Sequence, residues 1–404
     1  MKKKERNNTN LLVSSKTISK IGDMLFDYVN NTFLANANLK SMLLVGIYQS
    51  SENIISIIFN LFGGVIADNF KRKKILILTD FLSGCACIML SLINSNKWLI
   101  YSIILANMFL ALLSAFSSPA YKAFTKEIVF EQNISEINSY LELASTIVKI
   151  IIPLVSLVIY RIIGVRGSLL LDGISFLFSS LIIFFIKPVT AEITKKNFFN
   201  LKTFLLQLKS GFKYLIAEKQ IFILIILSSV INFILAAYNL ILPYSNEMFS
   251  KIHGGVYGTF LTAEAIGGLL GAFFSSKLKM QLSAKKLMIF LGLSGLPLCM
   301  ISFLYQLNSN LLLLSLSPAL FNLFLTIYNI QFFSLIQKVV DTKFLGRIFS
   351  IIFTVAVLFM PIGTWVFTLL LKPNYEYNFL LVGICIILIS LIFLKILEKY
   401  NKNA

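Results

Sequence analysis

The sequence predicts an all-α membrane protein: twelve transmembrane helices in two six-helix halves. Three observations carry this expectation. Of 404 residues, 57% are hydrophobic and only 13% charged, with a mean hydropathy of +0.83. A soluble domain carries about 25% charged residues, so the surplus apolar surface requires a bilayer as solvent. Apolar stretches near the ~20-residue spanning length recur from end to end. Finally, Lys and Arg concentrate in alternate gaps between those stretches.

The expected spans of the first half lie near 15–35, 41–67, 74–94, 98–121, 138–160 and 167–186. Those of the second half lie near 221–246, 255–276, 286–306, 310–337, 345–371 and 376–395. The polar N-terminus, MKKKERNNTN, lacks a secretory-signal pattern and reads as a cytoplasmic tail before span one. With that end inside, 29 of the 36 Lys and Arg fall in inner segments and six in outer ones, Lys149 remaining within a span. A wrong span count would invert the alternation downstream, so this asymmetry supports twelve spans and two cytoplasmic termini.

The organisation follows as residues 1–186, a cytoplasmic linker at 187–219, and residues 220–404. Apolar residues at helical spacing within 200–218 predict an amphipathic helix lying on the inner membrane face. The halves echo each other. Span two ends in glycines followed by Lys71, Arg72, Lys73 and Lys74; span eight holds Gly267, Gly268 and Gly271, followed by Lys277. Two such halves are a recurrent transporter plan.

Several functions are disfavoured. The net charge of +18 is spread over inter-span gaps, not gathered on a polar domain with interleaved aromatics as nucleic-acid binding needs. There is no phosphate-binding loop for ATP, and the single histidine, His253, argues against triad or zinc chemistry. The four cysteines, Cys85, Cys87, Cys299 and Cys385, each lie inside an apolar stretch and form no CxxC pair, suggesting packing and not a metal centre. No enzymatic activity and no cofactor are expected.

Certain polar residues within spans stand out. Asp23 and Asp27 in span one are four apart and share a helix face; Glu52 lies in span two and Glu264 in span eight. An ionisable group at such depth costs at least ~2.5 kcal/mol and usually faces a cavity or partner. Burial favours the neutral form of a carboxyl group, which suits these four to proton coupling; interhelical hydrogen bonding is the structural alternative. Lys149, two turns from Glu142, is a candidate for pairing with a carboxylate or for binding substrate. Asn30, Asn31, Tyr48, Gln49, Asn53, Asn232, Tyr238 and Asn239 place polar groups in spans one, two and seven, either lining a substrate cavity or bonding between helices. Asp80 and Asp172, nearer span ends, read as structural.

The stretch Gly64-Val-Ile-Ala-Asp68-Asn69-Phe70-Lys71-Arg72-Lys73 resembles the loop between spans two and three of the major facilitator superfamily, G-x-x-x-D-R-x-G-R-R/K. Gly64, Asp68, Arg72 and Lys73 match; Asn69 and Lys71 depart. Ser19-Lys-Ile-Gly22-Asp23, Ser117-Ser-Pro-Ala120 and Leu345-Gly346-Arg347-Ile-Phe-Ser350 resemble the macrolide-efflux and enterobactin-exporter branch. The resemblance implies a gating motif formed by Gly64, Asp68, Arg72, Lys73, Gly346 and Arg347, with Asp68 meeting the start of span eleven. It also implies a monomeric secondary transporter in the cell membrane that exports an amphiphilic small molecule in exchange for protons. A siderophore or metabolite exporter, or a non-transporting receptor on the same scaffold, are the alternative readings. The glycine-rich pattern of drug exporters is absent from span five, where Pro153 stands without its glycines.

Overall fold

A computed structural model describes residues 3–37, 41–189, 218–252, 254–277, 283–307, 310–340 and 342–403. The chain divides into two compact units, Met1–Phe199 and Asn200–Ala404. Unit 1 holds α1 (Lys3–Ala35), α2 (Ser41–Asn69), α3 (Arg72–Ser91), α4 (Asn96–Ile128) and α5 (Ile134–Phe185). Unit 2 holds α6 (Lys219–Ile241), the short α7 (Ser245–Met248), α8 (Val256–Lys277), α9 (Ala284–Leu307), α10 (Leu311–Val339), α11 (Thr342–Leu370) and α12 (Asn378–Asn403). No strand occurs among the described residues.

α5 is two arms joined at Gly164, whose φ of 66° and ψ of −170° break the helix. Glycine adopts this conformation without a Cβ clash. Beside the break, Arg166 donates to Ile93 O at 2.8 Å and to Asn96 Oδ1 at 2.7 Å, fixing the turn after α3. With α5 taken as two arms, each unit has six long helical rods among the described residues, consistent with the twelve expected spans. Nine helices among these residues are long and apolar enough to cross a membrane; this is a multi-pass membrane protein. α1 is not among the nine: its first turns are polar, and its later turns still carry Lys20, Asp23, Asp27, Asn30 and Asn31. The expected amphipathic helix at 200–218 begins outside the described residues, as does His253.

The N-terminus differs from the expected tail. α1 is helical from Lys3, and Glu5, Asn8 and Thr9 are buried. Glu5 Oε1 accepts from Phe130 N at 2.8 Å and from Asn133 Nδ2 at 2.9 Å. Asn8 Nδ2 donates to Lys187 O at 2.8 Å. These side chains satisfy backbone groups where α4 turns into α5 and where α5 ends, and buried polar groups need such partners. The polar turns of α1 are thus part of unit 1, above an apolar cluster that includes Leu12, Leu76, Phe124 and Ile183.

The two units repeat one packing scheme. In unit 1, α2 lies on α4, α3 on α4, and both α1 and α3 on α5. In unit 2, α8 lies on α10, α9 on α10, α9 on α12, and α6 on α11 and α12. Glycines mark equivalent crossings. A Cβ on Gly63 would collide with Ala115 O, and one on Gly267 with Ala319 O; the second pair stands 204 positions after the first at both residues (63 to 267, 115 to 319). Likewise Gly84 and Gly173 face each other's carbonyls, a Cβ on either falling 2.9 Å from the other's oxygen, and Gly295 and Gly383 repeat this at 2.6 Å. Small residues permit such close approach where lipid leaves little hydrophobic force to join helices.

Candidate functional site

The side chains expected to carry transport chemistry gather on the first two helices of each unit. In unit 1, Tyr48 of α2 donates its hydroxyl to Asp27 Oδ1 of α1 at 3.2 Å. One turn along α1, Asn31 Oδ1 accepts from Gln49 Nε2 at 3.1 Å, while Asn31 Nδ2 donates to Asp27 O at 2.8 Å. Asn53 Nδ2 donates to Gln49 O at 3.0 Å. Asn107 of α4 donates to Tyr48 O at 2.9 Å, bracing the tyrosine from behind. Asn30 and Tyr48 are buried, whereas Asp27 and Glu52 are exposed on the unit's surface. Six of the residues singled out for coupling or substrate (Asp27, Asn31, Tyr48, Gln49, Glu52 and Asn53) therefore belong to one polar α1–α2 face.

Asp23 lies one turn before Asp27 on α1, close enough for the two charges to interact. It is half-buried and lines a separate polar cavity of about 60 Å³, together with Lys16, Thr79, Asp80 and Ser179. Ser179 donates to Asp80 Oδ2 at 2.5 Å and meets Ser15 at 2.9 Å, linking α1, α3 and the second arm of α5. Asp172 is fully buried, with Cys87 Sγ 3.2 Å from its Oδ2. A Cβ on Gly22 would strike Asp172 and Ser175, so the glycine of the Ser19–Asp23 stretch is needed where α1 crosses α5.

In unit 2, Tyr238 of α6 donates to Glu264 Oε1 of α8 at 2.5 Å. Tyr238 is buried, its ring 4.7 Å from that of Phe321. Asn322 of α10 donates to Glu264 O at 2.7 Å. Asn232 bonds within its own helix, to Ser228 O at 2.9 Å, and Asn239 is exposed. Lys149 is exposed on the first arm of α5 and forms no ion pair with a described residue. Each unit thus sets a tyrosine hydroxyl on a carboxylate between its first and second long helices. The order is inverted: unit 1 carries the acid on its first helix, unit 2 on its second.

The expected gating stretch is only partly described. Gly64 and Asp68 lie near the end of α2, and Gly346 and Arg347 near the start of α11; the side chains of these four are outside the described residues. The basic pair is clear. Arg72 donates from Nε to Ala67 O at 3.1 Å and from Nη1 to Glu127 Oε1 at 2.5 Å, in a pair whose side chains are only 11% and 4% exposed. Lys73 Nζ donates to Phe184 O at 2.7 Å and to Ile186 O at 2.8 Å, capping the end of α5. Positive charge at a helix C-terminus is favourable. Arg72 and Lys73 therefore tie the α2–α3 turn to the ends of α4 and α5 within unit 1. Glu127 and Asp172 had no signal in the sequence that separated them from other acids near span ends.

The profile of the Major Facilitator Superfamily matches residues 17–364. The chain belongs to the major facilitator superfamily. Macrolide efflux protein A of Streptococcus pyogenes is 24% identical over 336 residues, 81% of each chain. An uncharacterized MFS-type transporter of Bacillus subtilis (strain 168), YfiS, is 25% identical over 421 residues, covering 97% of this chain and 96% of its own. Among solved structures, the nucleoside transporter NupG has a TM-score of 0.74 at 14% identity, covering 95% of this chain and 99% of its own. A bacterial homologue of the iron transporter ferroportin has a TM-score of 0.74 at 15% identity, covering 96% and 98%. The two structures share the fold; the two relatives share sequence across most of this major facilitator.

Proposed function

We propose that this transporter exports an amphiphilic, macrolide-like small molecule in exchange for protons. The observation that carries the reading is the pair of tyrosine–carboxylate contacts, Tyr48–Asp27 and Tyr238–Glu264, one in each unit. A carboxylate within a span that accepts a hydrogen bond from a neutral tyrosine hydroxyl and forms no direct ion pair with a described residue is suited to bind and release a proton as its access to water changes. The exposed position of Asp27 and Glu52 on the polar α1–α2 face gives protons and a polar-aromatic substrate a common surface. The efflux activity named for the streptococcal relative supports the direction and the substrate class. Alternating access by rocking of the units would deliver substrate outward. The protein acts as a monomer in the cell membrane, both termini cytoplasmic, with Asp68, Gly346 and Arg347 contributing to the gate.

The test is erythromycin uptake into inverted vesicles, with and without an imposed proton gradient, for wild type, Asp27→Asn, Glu52→Gln and Glu264→Gln. Gradient-driven uptake in wild type, lost in at least one variant, is the expected result. Uptake that ignores the gradient in every protein would refute proton coupling, and no uptake of erythromycin or of amphiphilic dyes would refute the substrate class.

A further inference from the structure

Within unit 1, α1, α4 and the first arm of α5 enclose a cleft of about 600 Å³. Small-molecule sites occupy about 300–1,000 Å³. Each helix contributes polar residues four apart: Lys16 and Lys20 from α1, Lys122 and Lys126 from α4, Asn138 and Glu142 from α5. Residues at that spacing share a helix face, so three polar stripes converge on one space. Four ammonium groups line it against one carboxylate, Glu142. Two further acids, Asp23 and Asp80, occupy the smaller adjoining cavity, which shares Lys16 and Tyr121 with the cleft. The Lys16 ammonium is held 4.8 Å over the Tyr121 ring. Lys16, Lys20 and Lys122 form no ion pair with a described residue.

The inner-surface bias for Lys and Arg accounts for how many lysines lie on this side of the membrane. It does not account for four of them meeting in one cleft, where low-dielectric walls concentrate positive potential and attract a counter-ion. Lysine recognises phosphate as a point charge without the planar geometry a bidentate arginine imposes. From Glu142 the first arm of α5 continues with Leu143, Ile147, Ile151 and Leu154, all exposed and on one face, an apolar lane beside the charged cleft. We propose that this cleft binds the phosphate group of an anionic ligand, either the headgroup of a membrane phospholipid whose chains lie along α5 or a soluble phosphate ester.

The full chain would be placed in phosphatidylcholine nanodiscs with or without phosphatidylglycerol, and its thermal unfolding and headgroup retention measured, the latter by native mass spectrometry. Glycerol 1-phosphate would be titrated separately into the phosphatidylcholine discs. The expected result is stabilisation by a phosphate-bearing ligand that weakens about tenfold or more in Lys122→Gln and further in Lys20→Gln/Lys122→Gln. Lys285→Gln/Lys286→Gln in unit 2, a control for general membrane charge, should keep it. Stabilisation by phosphatidylglycerol alone identifies a lipid site; the same lysine-dependent effect from glycerol 1-phosphate identifies a soluble ligand. Equal behaviour with and without both phosphates, or equal loss in the unit 2 control, would overturn the proposal. Lys122 is exposed, so its substitution leaves the folded core intact.

Discussion

The Tyr238 hydroxyl sits 2.5 Å from Glu264 Oε1 while its ring is wedged against Phe321 and Phe379. The phenol thereby joins two functions on one side chain: ring packing holds α6, α10 and α12 together, and the hydroxyl addresses the carboxylate of α8. Tyr238→Phe separates them. It should keep the packing, cost unit 2 about 1–2 kcal/mol from one lost hydrogen bond, and disturb gradient-driven transport far more than stability. Paired thermal unfolding and vesicle uptake measurements check this. A large loss of stability with unchanged coupling would make the contact merely structural.

The Arg72–Glu127 pair is nearly excluded from solvent. Removing one partner of a buried pair strands the other charge and typically costs about 3–5 kcal/mol, whereas replacing both by apolar residues is often far milder. Arg72→Gln and Glu127→Gln should each sharply shorten the lifetime of the detergent-solubilised protein at raised temperature. Arg72→Met/Glu127→Leu should be more stable than either single variant. Additive losses in the double variant would show that the two side chains do not act as a pair.

The glycine crossings of the two units make a matched experiment. Gly63→Val and Gly267→Val each drive a side chain into a carbonyl of the neighbouring helix, at Ala115 and Ala319 respectively. Overpacking of this kind costs about 1–3 kcal/mol, and more where backbone must move. Both variants should lose folded protein in a fluorescence size-exclusion assay. Gly268→Ala, whose new Cβ would meet only side chains, the Asn322 amide at 3.2 Å and the Thr326 hydroxyl at 3.5 Å, should be tolerated. Equal yields for all three would show that these helices are less closely packed than the glycines imply.

Much of this architecture was legible because bilayer physics writes it into composition. Apolar length and the alternation of Lys and Arg point to the helices and to the division near the middle of the chain, and the glycines hinted at the repeat. The individual contacts were less legible, since they depend on neighbours distant in sequence. Asp23 and Asp27 share a helical spacing, yet Asp23 also lines an internal cavity while Asp27 accepts from Tyr48, because α5 packs along α1 on one side and α2 meets it on another. Arg72 and Lys73 read as topology signals, but the partners that tie them to α4 and α5 lie 55 to 113 positions away. Each lysine of the cleft reads singly as inner-surface charge; only the convergence of three helices brings the four into one space.

The N-terminal turns are the sharpest case of a role invisible in composition. MKKKERNNTN is polar throughout, yet Glu5 and Asn8 are almost fully buried and bond to Phe130, Asn133, Ile128 and Lys187. A disordered tail would tolerate deletion. Here, removing residues 1–9 would leave the Phe130 amide and the Lys187 carbonyl without these partners, at about 1–3 kcal/mol for each group left buried and unsatisfied. The truncated protein should therefore unfold at lower temperature than wild type, and Glu5→Ala/Asn8→Ala should reproduce most of the shift in the full-length chain. Hydrogen exchange would localise the effect: faster exchange at Phe130 and around Lys187, with unit 2 unchanged, is the expected pattern. Because these bonds brace the same α4–α5 turn that carries Glu127, the Arg72→Gln variant should add little to the loss in the truncated protein. Fully additive losses would mean that the N-terminal turns and the Arg72–Glu127 pair stabilise unit 1 independently.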